Sequence, residues 1–209
     1  DPLTGEILDA GIEVKPPDIN LSQADFAVVY GAKEPRKAHT GHIRFGLKAI
    51  KGAGEKAIEA ILRERVEKRR SDEETERRSE GAAAAGGGVS AADPFTSIFD
   101  FCERVPSASV NKATIEALVK CGAFDSLHGR EARAAMAATI EQAVSAGQRA
   151  AADRAAGQGG LFGMGGPVEE VKQETPLARA TPWTEAETLK QEKETLGFYE
   201  SSHPLEEWS

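Results

Sequence analysis

The stretch AIKGAGEKAIEAI, residues 49–61, sets Gly52 and Gly54 two apart inside an otherwise amphipathic helical pattern. A glycine in a helix interior costs about 1 kcal/mol relative to alanine, so this pair predicts a break. After the break Ala57, Ile58, Ile61 and Leu62 recur at helical spacing, which predicts a helix from about Glu55 into the 60s. Before it, Leu47 and Ile50 close a preceding helix. The pattern is two helices joined by a Gly-Ala-Gly corner. Gly52 and Gly54 permit positive φ and close backbone approach there, and Ala57 leaves room for the helices to touch.

Such a corner has two uses. One is a tight turn between packed helices and nothing more. The other is the hairpin of a helix-hairpin-helix unit. Its N–H groups, here those of Gly52, Ala53, Gly54, Glu55 and Lys56, lie at the positive end of the second helix dipole and bind an anion. A DNA phosphate fits the second use, with Lys51 and Lys56 adding charge beside it. Backbone donors read no bases, so such binding is independent of sequence and sensitive to salt. The formal net charge of −8 argues against a surface that holds nucleic acid everywhere. Between Ile43 and Arg70, however, nine basic residues face four acids, and the sign reverses locally.

Upstream, Val14 is followed by Pro16 and Pro17, which forbid a helix and keep the chain extended. DFAVVY and HIRFGL then alternate with period two, placing Phe26, Val28 and Tyr30 on one face and Ile43, Phe45 and Leu47 on another. With GAKEPRKAHTG between them, they predict a β-hairpin with a long exposed loop. Downstream, residues 67–92 are charged and then rich in alanine and glycine, without an apolar face, as in a linker.

Helical patterning resumes at DPFTSIFDFCERV, where Asp93 is a cap, Pro94 suits the first helical position, and Phe95, Ile98, Phe99 and Cys102 form a core face. A second helix follows, capped by Asn111, striped by Ile115, Leu118 and Val119, and stopped by Gly122, with Phe124 and Leu127 folding back onto it. From Arg130 to Ala156 the pattern predicts one long, weakly packed helix. The glycines of GQGGLFGMGG end it, a linker runs to Pro182, and a last short helix starts at Thr184, which forms a capping box with Glu187.

The expected fold class is mainly α with a small β-hairpin. Cys102 and Cys121 read as two packed thiols rather than a disulfide or a metal site. No apolar run is long enough to cross a bilayer, and a soluble, cytoplasmic chain cut from a longer protein is the expectation. His39 and His42 lack a third ligand, so no metal is expected, and no catalytic residues are assigned.

Six blocks, VKPPDIN, IRFGLKAIKGAGEKAIEAI, FTSIFDFCERV, VNKATIEALVKCGAFDSL, GQGGLF and ETLGFYESSHPL, occur in this order. Together they resemble the region of the bacterial replicative DNA polymerase III alpha subunit that follows the catalytic core. The resemblance implies that residues 1–48 end a fingers domain and that residues 49–128 form a tandem helix-hairpin-helix domain gripping duplex DNA, interrupted at about 67–92. The long helix at 129–156, a clamp-binding linker at 157–182 and a short helix at 183–209 leading toward an oligonucleotide-binding domain would follow.

In the second hairpin unit, Asn111 and Lys112 stand where the Gly-x-Gly turn would be, Asn111 serving equally as a plain helix cap. QGGLF, with Gln158, Leu161 and Phe162, is similar to the pentapeptide by which the family binds the sliding clamp. On the residues alone, Leu161 and Phe162 either enter a partner's apolar pocket or pack back on the preceding helix. The family's magnesium-binding carboxylates lie in a palm domain upstream of this stretch, so the segment itself is expected to need no cofactor. Duplex DNA, the sliding clamp and other holoenzyme subunits are the expected partners, and no membrane. An error-prone polymerase of the same family and a free-standing helical adaptor are the alternatives.

Overall fold

The computed structural model describes residues 13–30, 41–65, 94–156 and 175–202. Three short strands, β1 (Val14–Lys15), β2 (Ala27–Val29) and β3 (His42–Arg44), form one sheet in the order β1-β3-β2. β2 and β3 are the antiparallel hairpin that the alternation predicts, with Val28 opposite Ile43. β1 adds a third strand parallel to β3, Val14 lying beside Ile43. The two apolar rows expected on separate faces share one side of the sheet. Directly opposed residues point the same way, and the Phe26 and Phe45 rings meet edge to face at 4.5 Å.

The sheet leads into a single 3-10 turn, Leu47–Ala49, where the sequence predicts a helix. Gly46 offers no side-chain cap and Ile50 is extended, so three residues are all that fit between strand and glycine corner. Helix α1 then covers residues 55–65. It is followed by α2 (Ile98–Arg104), α3 (Lys112–Lys120), the one-turn α4 (Asp125–His128), α5 (Arg133–Ala155, entered through a 3-10 turn at Arg130–Ala132) and α6 (Glu185–Leu196). The described chain is thus mainly helical with a small sheet.

Ser97 caps α2, its hydroxyl accepting from the Asp100 N–H at 3.1 Å; Pro94, expected at the first helical position, lies before the helix, and Asp93 lies outside the described residues. Asn111 caps α3 as its sequence suggests, and Gly122 follows that helix with φ +80. Thr184 and Glu187 close their capping box.

One apolar core runs from Ile19 through α1, α2, α3 and α5 to Leu196. Phe95, Phe101 and Phe124 stack edge to face within it at 5.1 and 5.2 Å. Helix α5 is not weakly packed over its first half, where Met136, Ile140 and Ala143 are fully buried. Its alanines and glycine replace bulk with proximity: a methyl group added at Gly147 would lie 2.1 Å from the Cys102 carbonyl oxygen. Cys102 and Cys121 are free and buried, and burial pushes both thiols up to about 12.

Polar groups tie the layers together. Asn20 bonds both backbone groups of Phe95. Arg65, 5% exposed, donates to the carbonyls of Ile19 and Ser22 at 3.0 and 2.7 Å.

Candidate nucleic-acid interface

The glycine corner is held from both sides. Gly52 has φ +92, a conformation L side chains rarely adopt. Its carbonyl accepts the Thr114 hydroxyl from α3 at 3.2 Å, and the residue sits against the Ala117 methyl. Immediately before it, the Lys51 N–H donates to the Thr195 carbonyl at the end of α6 at 2.9 Å. Gly54 is different from Gly52: its φ is not positive, and a methyl group placed there meets nothing within 4 Å. Its carbonyl accepts from the N–H groups of Ala57 and Ile58, so it starts α1.

The expected row of five donors is therefore shorter. The Ala53 N–H is taken by the Ile50 carbonyl at 3.1 Å, and it drops out. Among the described residues, no backbone carbonyl accepts from the N–H groups of Gly52, Gly54, Glu55 or Lys56. The last two belong to the first turn of α1, whose N–H groups have no carbonyl inside the helix to bond.

The charges around the corner are partly spent within the protein. Glu55 pairs with Lys48 at 3.1 Å, and that hydrogen bond, helped by the charge of Asp25, holds the Lys48 ammonium above its ordinary range. The Lys51 ammonium lies beside Gly197 at the C-terminal end of α6, where a helix dipole favours a cation. Of the nine local basic residues, Arg65 is buried structure, and Arg44 donates to the Pro16 carbonyl at 3.2 Å.

The second pair of candidate residues is brought against the first. Thr114 on α3 touches Gly52, so Asn111 and Lys112 at the head of α3 adjoin the corner. The Asn111 side chain is occupied as a cap, accepting from the Thr114 N–H at 2.9 Å and its hydroxyl at 3.1 Å. Lys112 pairs with Glu141 of α5 at 2.5 Å and lies 3.9 Å from Glu116. The bond to Lys112 holds the Glu141 carboxyl low. Gln158, Leu161 and Phe162, with His39 and His203, lie outside the described residues. The His128 Nε2 accepts from the Ile98 N–H at 3.2 Å, a packing role.

The sequence reading missed Thr114 and Thr195, the two contacts that fix the corner, because each acts across more than sixty residues of chain. It also missed a buried ionic cluster. Arg133, 2% exposed, donates to Glu192, 0% exposed, at 2.8 Å and to Asp125 at 2.6 to 3.1 Å. Burial disfavours the charge on Glu192, but bonds from Arg133, Ser201 and the Glu200 N–H outweigh it and hold the carboxyl low. Burial and the neighbouring Glu192 charge push Glu200 the other way. Among the described residues no three acidic, histidine or cysteine side chains gather as metal ligands, and no helix is long and apolar enough to cross a membrane.

A family model described as helix-hairpin-helix motif matches residues 11–80 and 89–135. Proteins named DNA polymerase III subunit alpha are similar over almost the whole chain. That of Haemophilus influenzae is 35% identical over 203 residues, 97% of this chain and 14% of that protein. That of Neisseria meningitidis serogroup A is 38% identical over 195 residues, 93% of this chain and 14% of that protein. That of Thermus aquaticus is 39% identical over 195 residues, 93% of this chain and 12% of that protein. The chain thus spans roughly one-seventh of the relatives it matches. It belongs to the helix-hairpin-helix motif family, in the form found within bacterial DNA polymerase III alpha subunits.

Proposed function

We propose that this chain is the duplex-holding segment of a bacterial replicative DNA polymerase III alpha subunit, and that the corner at residues 51–56 grips a backbone phosphate. The observation that carries the reading is the open space at Gly54. The N–H groups of Gly52, Gly54, Glu55 and Lys56, at and just before the start of α1, have no backbone carbonyl partner among the described residues, and a methyl group placed at Gly54 meets nothing within 4 Å beyond its chain neighbours. A phosphate oxygen accepts from such a cluster without reading a base. The chain's similarity to DNA polymerases supports DNA as the source of that phosphate.

The segment supplies grip rather than chemistry. Nucleotidyl transfer, with its magnesium-binding carboxylates, belongs to the parent enzyme's palm domain. QGGLF, through Gln158, Leu161 and Phe162, adds a weak attachment to the sliding clamp. Joined to a DNA grip in one polypeptide, that attachment acts at high effective concentration, and processivity arises from two modest contacts. Other holoenzyme subunits are further partners, in the cytoplasm.

The test is Gly54→Asp. Aspartate is a favoured N-cap, so α1 keeps its stability, while a carboxylate now occupies the position proposed for the phosphate. For the unaltered chain, log affinity for duplex DNA against log salt should have a slope of about −2 to −4. The variant should bind at least tenfold more weakly. Equal affinity in a folded Gly54→Asp protein rules out the phosphate site.

A further inference from the structure

Helix α6 ends where the glycine corner begins. The last carbonyls of a helix lack donors within it, and that of Thr195 is bonded by the Lys51 N–H. The Thr114 hydroxyl holds the Gly52 carbonyl from the other side. The one positive-φ residue of the corner is thereby pinned between α6 and α3.

What seats α6 is chiefly polar. Only Leu189 and Leu196 are buried apolar residues on its twelve positions. Apolar contacts of that extent leave rotation and sliding poorly fixed, because they are non-directional. Glu192 supplies direction. It is fully buried, and its carboxylate accepts from Arg133 Nη1 at 2.8 Å, from the N–H groups of Glu200 and Ser201 at 3.0 Å each, and from the Ser201 hydroxyl at 2.8 and 2.9 Å. Arg133 is fixed in turn by Asp125 of α4. A chain of directional bonds therefore runs from α4 through Arg133 and Glu192 to the end of α6 and on to Lys51.

We propose that Glu192 is a positioning residue for the DNA-gripping corner: its pair with Arg133 seats α6 so that the Thr195 carbonyl holds Lys51 and keeps Gly52 in its phosphate-ready conformation. The latch rests on the phosphate-binding reading of the corner. It adds that the grip is set by an element more than 130 residues away in sequence. A loosened latch leaves the corner in the competent geometry for only a fraction of the time, and apparent affinity falls by that fraction.

The experiment compares the full chain with its Glu192→Gln variant in amide hydrogen exchange and in binding to a short blunt DNA duplex. The expected result is Lys51 exchange close to that of an unprotected amide, because fivefold weaker binding needs the corner competent only about one-fifth of the time, with Leu118 and Ile140 still protected. Duplex affinity should be weaker by about fivefold. Three results overturn the proposal: Lys51 as protected as before, Lys51 released with affinity unchanged, or Lys51, Leu118 and Ile140 losing protection together, which is a structural role alone.

If Glu192→Gln does not fold, Arg133→Met combined with Glu192→Leu removes both charges at once and is read in the same way. Gly54→Asp in the otherwise unaltered chain separates the two ideas. If that change leaves duplex binding intact, the phosphate site is wrong and the latch falls with it. If it weakens binding while Glu192→Gln does not, the latch alone is wrong.

Discussion

The hydroxyl of Thr114, on the first turn of α3, donates to the carbonyl of Gly52 at 3.2 Å. One hydrogen bond thus locks the glycine corner onto the head of α3. Thr114→Val keeps the shape and β-branching but leaves the Gly52 carbonyl without that donor. A loss of about 1 kcal/mol in stability is expected. Duplex affinity should fall with it, and denaturant titration alongside DNA binding checks both.

Three glycines should respond in three ways to alanine. At Gly147 the new methyl would lie 2.1 Å from the Cys102 carbonyl, so α5 must move off α2, at a cost of about 1 to 3 kcal/mol or more. At Gly52 the positive φ is the obstacle, at about 1 to 2 kcal/mol. At Gly54 there is open space, and the loss of a good cap residue costs about 1 kcal/mol or less. Thermal unfolding should rank Gly147→Ala and Gly52→Ala well below Gly54→Ala, while Gly54→Ala, despite its mild cost, should weaken DNA binding.

Arg65 lies in the basic stretch yet serves the fold. Arg65→Met removes donors from the Ile19 and Ser22 carbonyls and should destabilise by about 2 to 4 kcal/mol. Because it meets no phosphate, the slope of log affinity against log salt should stay as it was. A shallower slope in the folded variant would place Arg65 on the DNA instead.

The two glutamates around Arg133 predict opposite responses to pH. Glu192 is held below its usual range, so its contribution is complete above the ordinary carboxyl value of 4.5 and is lost as pH falls through its lower folded-state value. Glu192→Gln should therefore loosen the seating of α6 near pH 7, by breaking a buried pair, and the gap to the unaltered chain should close in acid. Glu200 is raised, so it favours the fold below 4.5 and loses that advantage as pH rises through its folded-state value. Glu200→Gln should then stabilise the chain at neutral pH and not in acid. Denaturant unfolding at several pH values checks both signs.

For the clamp, Leu161→Ala with Phe162→Ala should abolish capture by the sliding clamp while leaving duplex binding intact. A pulldown that survives the double change counts against QGGLF as the attachment.

How legible the fold was depends on the range of the interaction. The helix after Gly54, the Asn111 cap, the Thr184–Glu187 capping box and the Gly122 stop are set within a few residues, and local spacing identifies them. The predicted helix at Leu47–Ile50 failed because periodicity does not reveal how little chain separates a strand from a glycine turn. The same holds for α5: small residues look like weak packing until a partner helix is seen to need the close approach at Gly147.

The sequence by itself determined that a glycine-broken corner precedes a helix carrying local positive charge, since backbone propensity and charge reside in neighbouring residues. Only the tertiary structure decided which amides that corner has left to offer and what holds it. The Thr114, Thr195 and Arg133–Glu192 contacts join residues dozens of positions apart, and hydrogen bonds of that range depend on how helices pack, which no local pattern encodes.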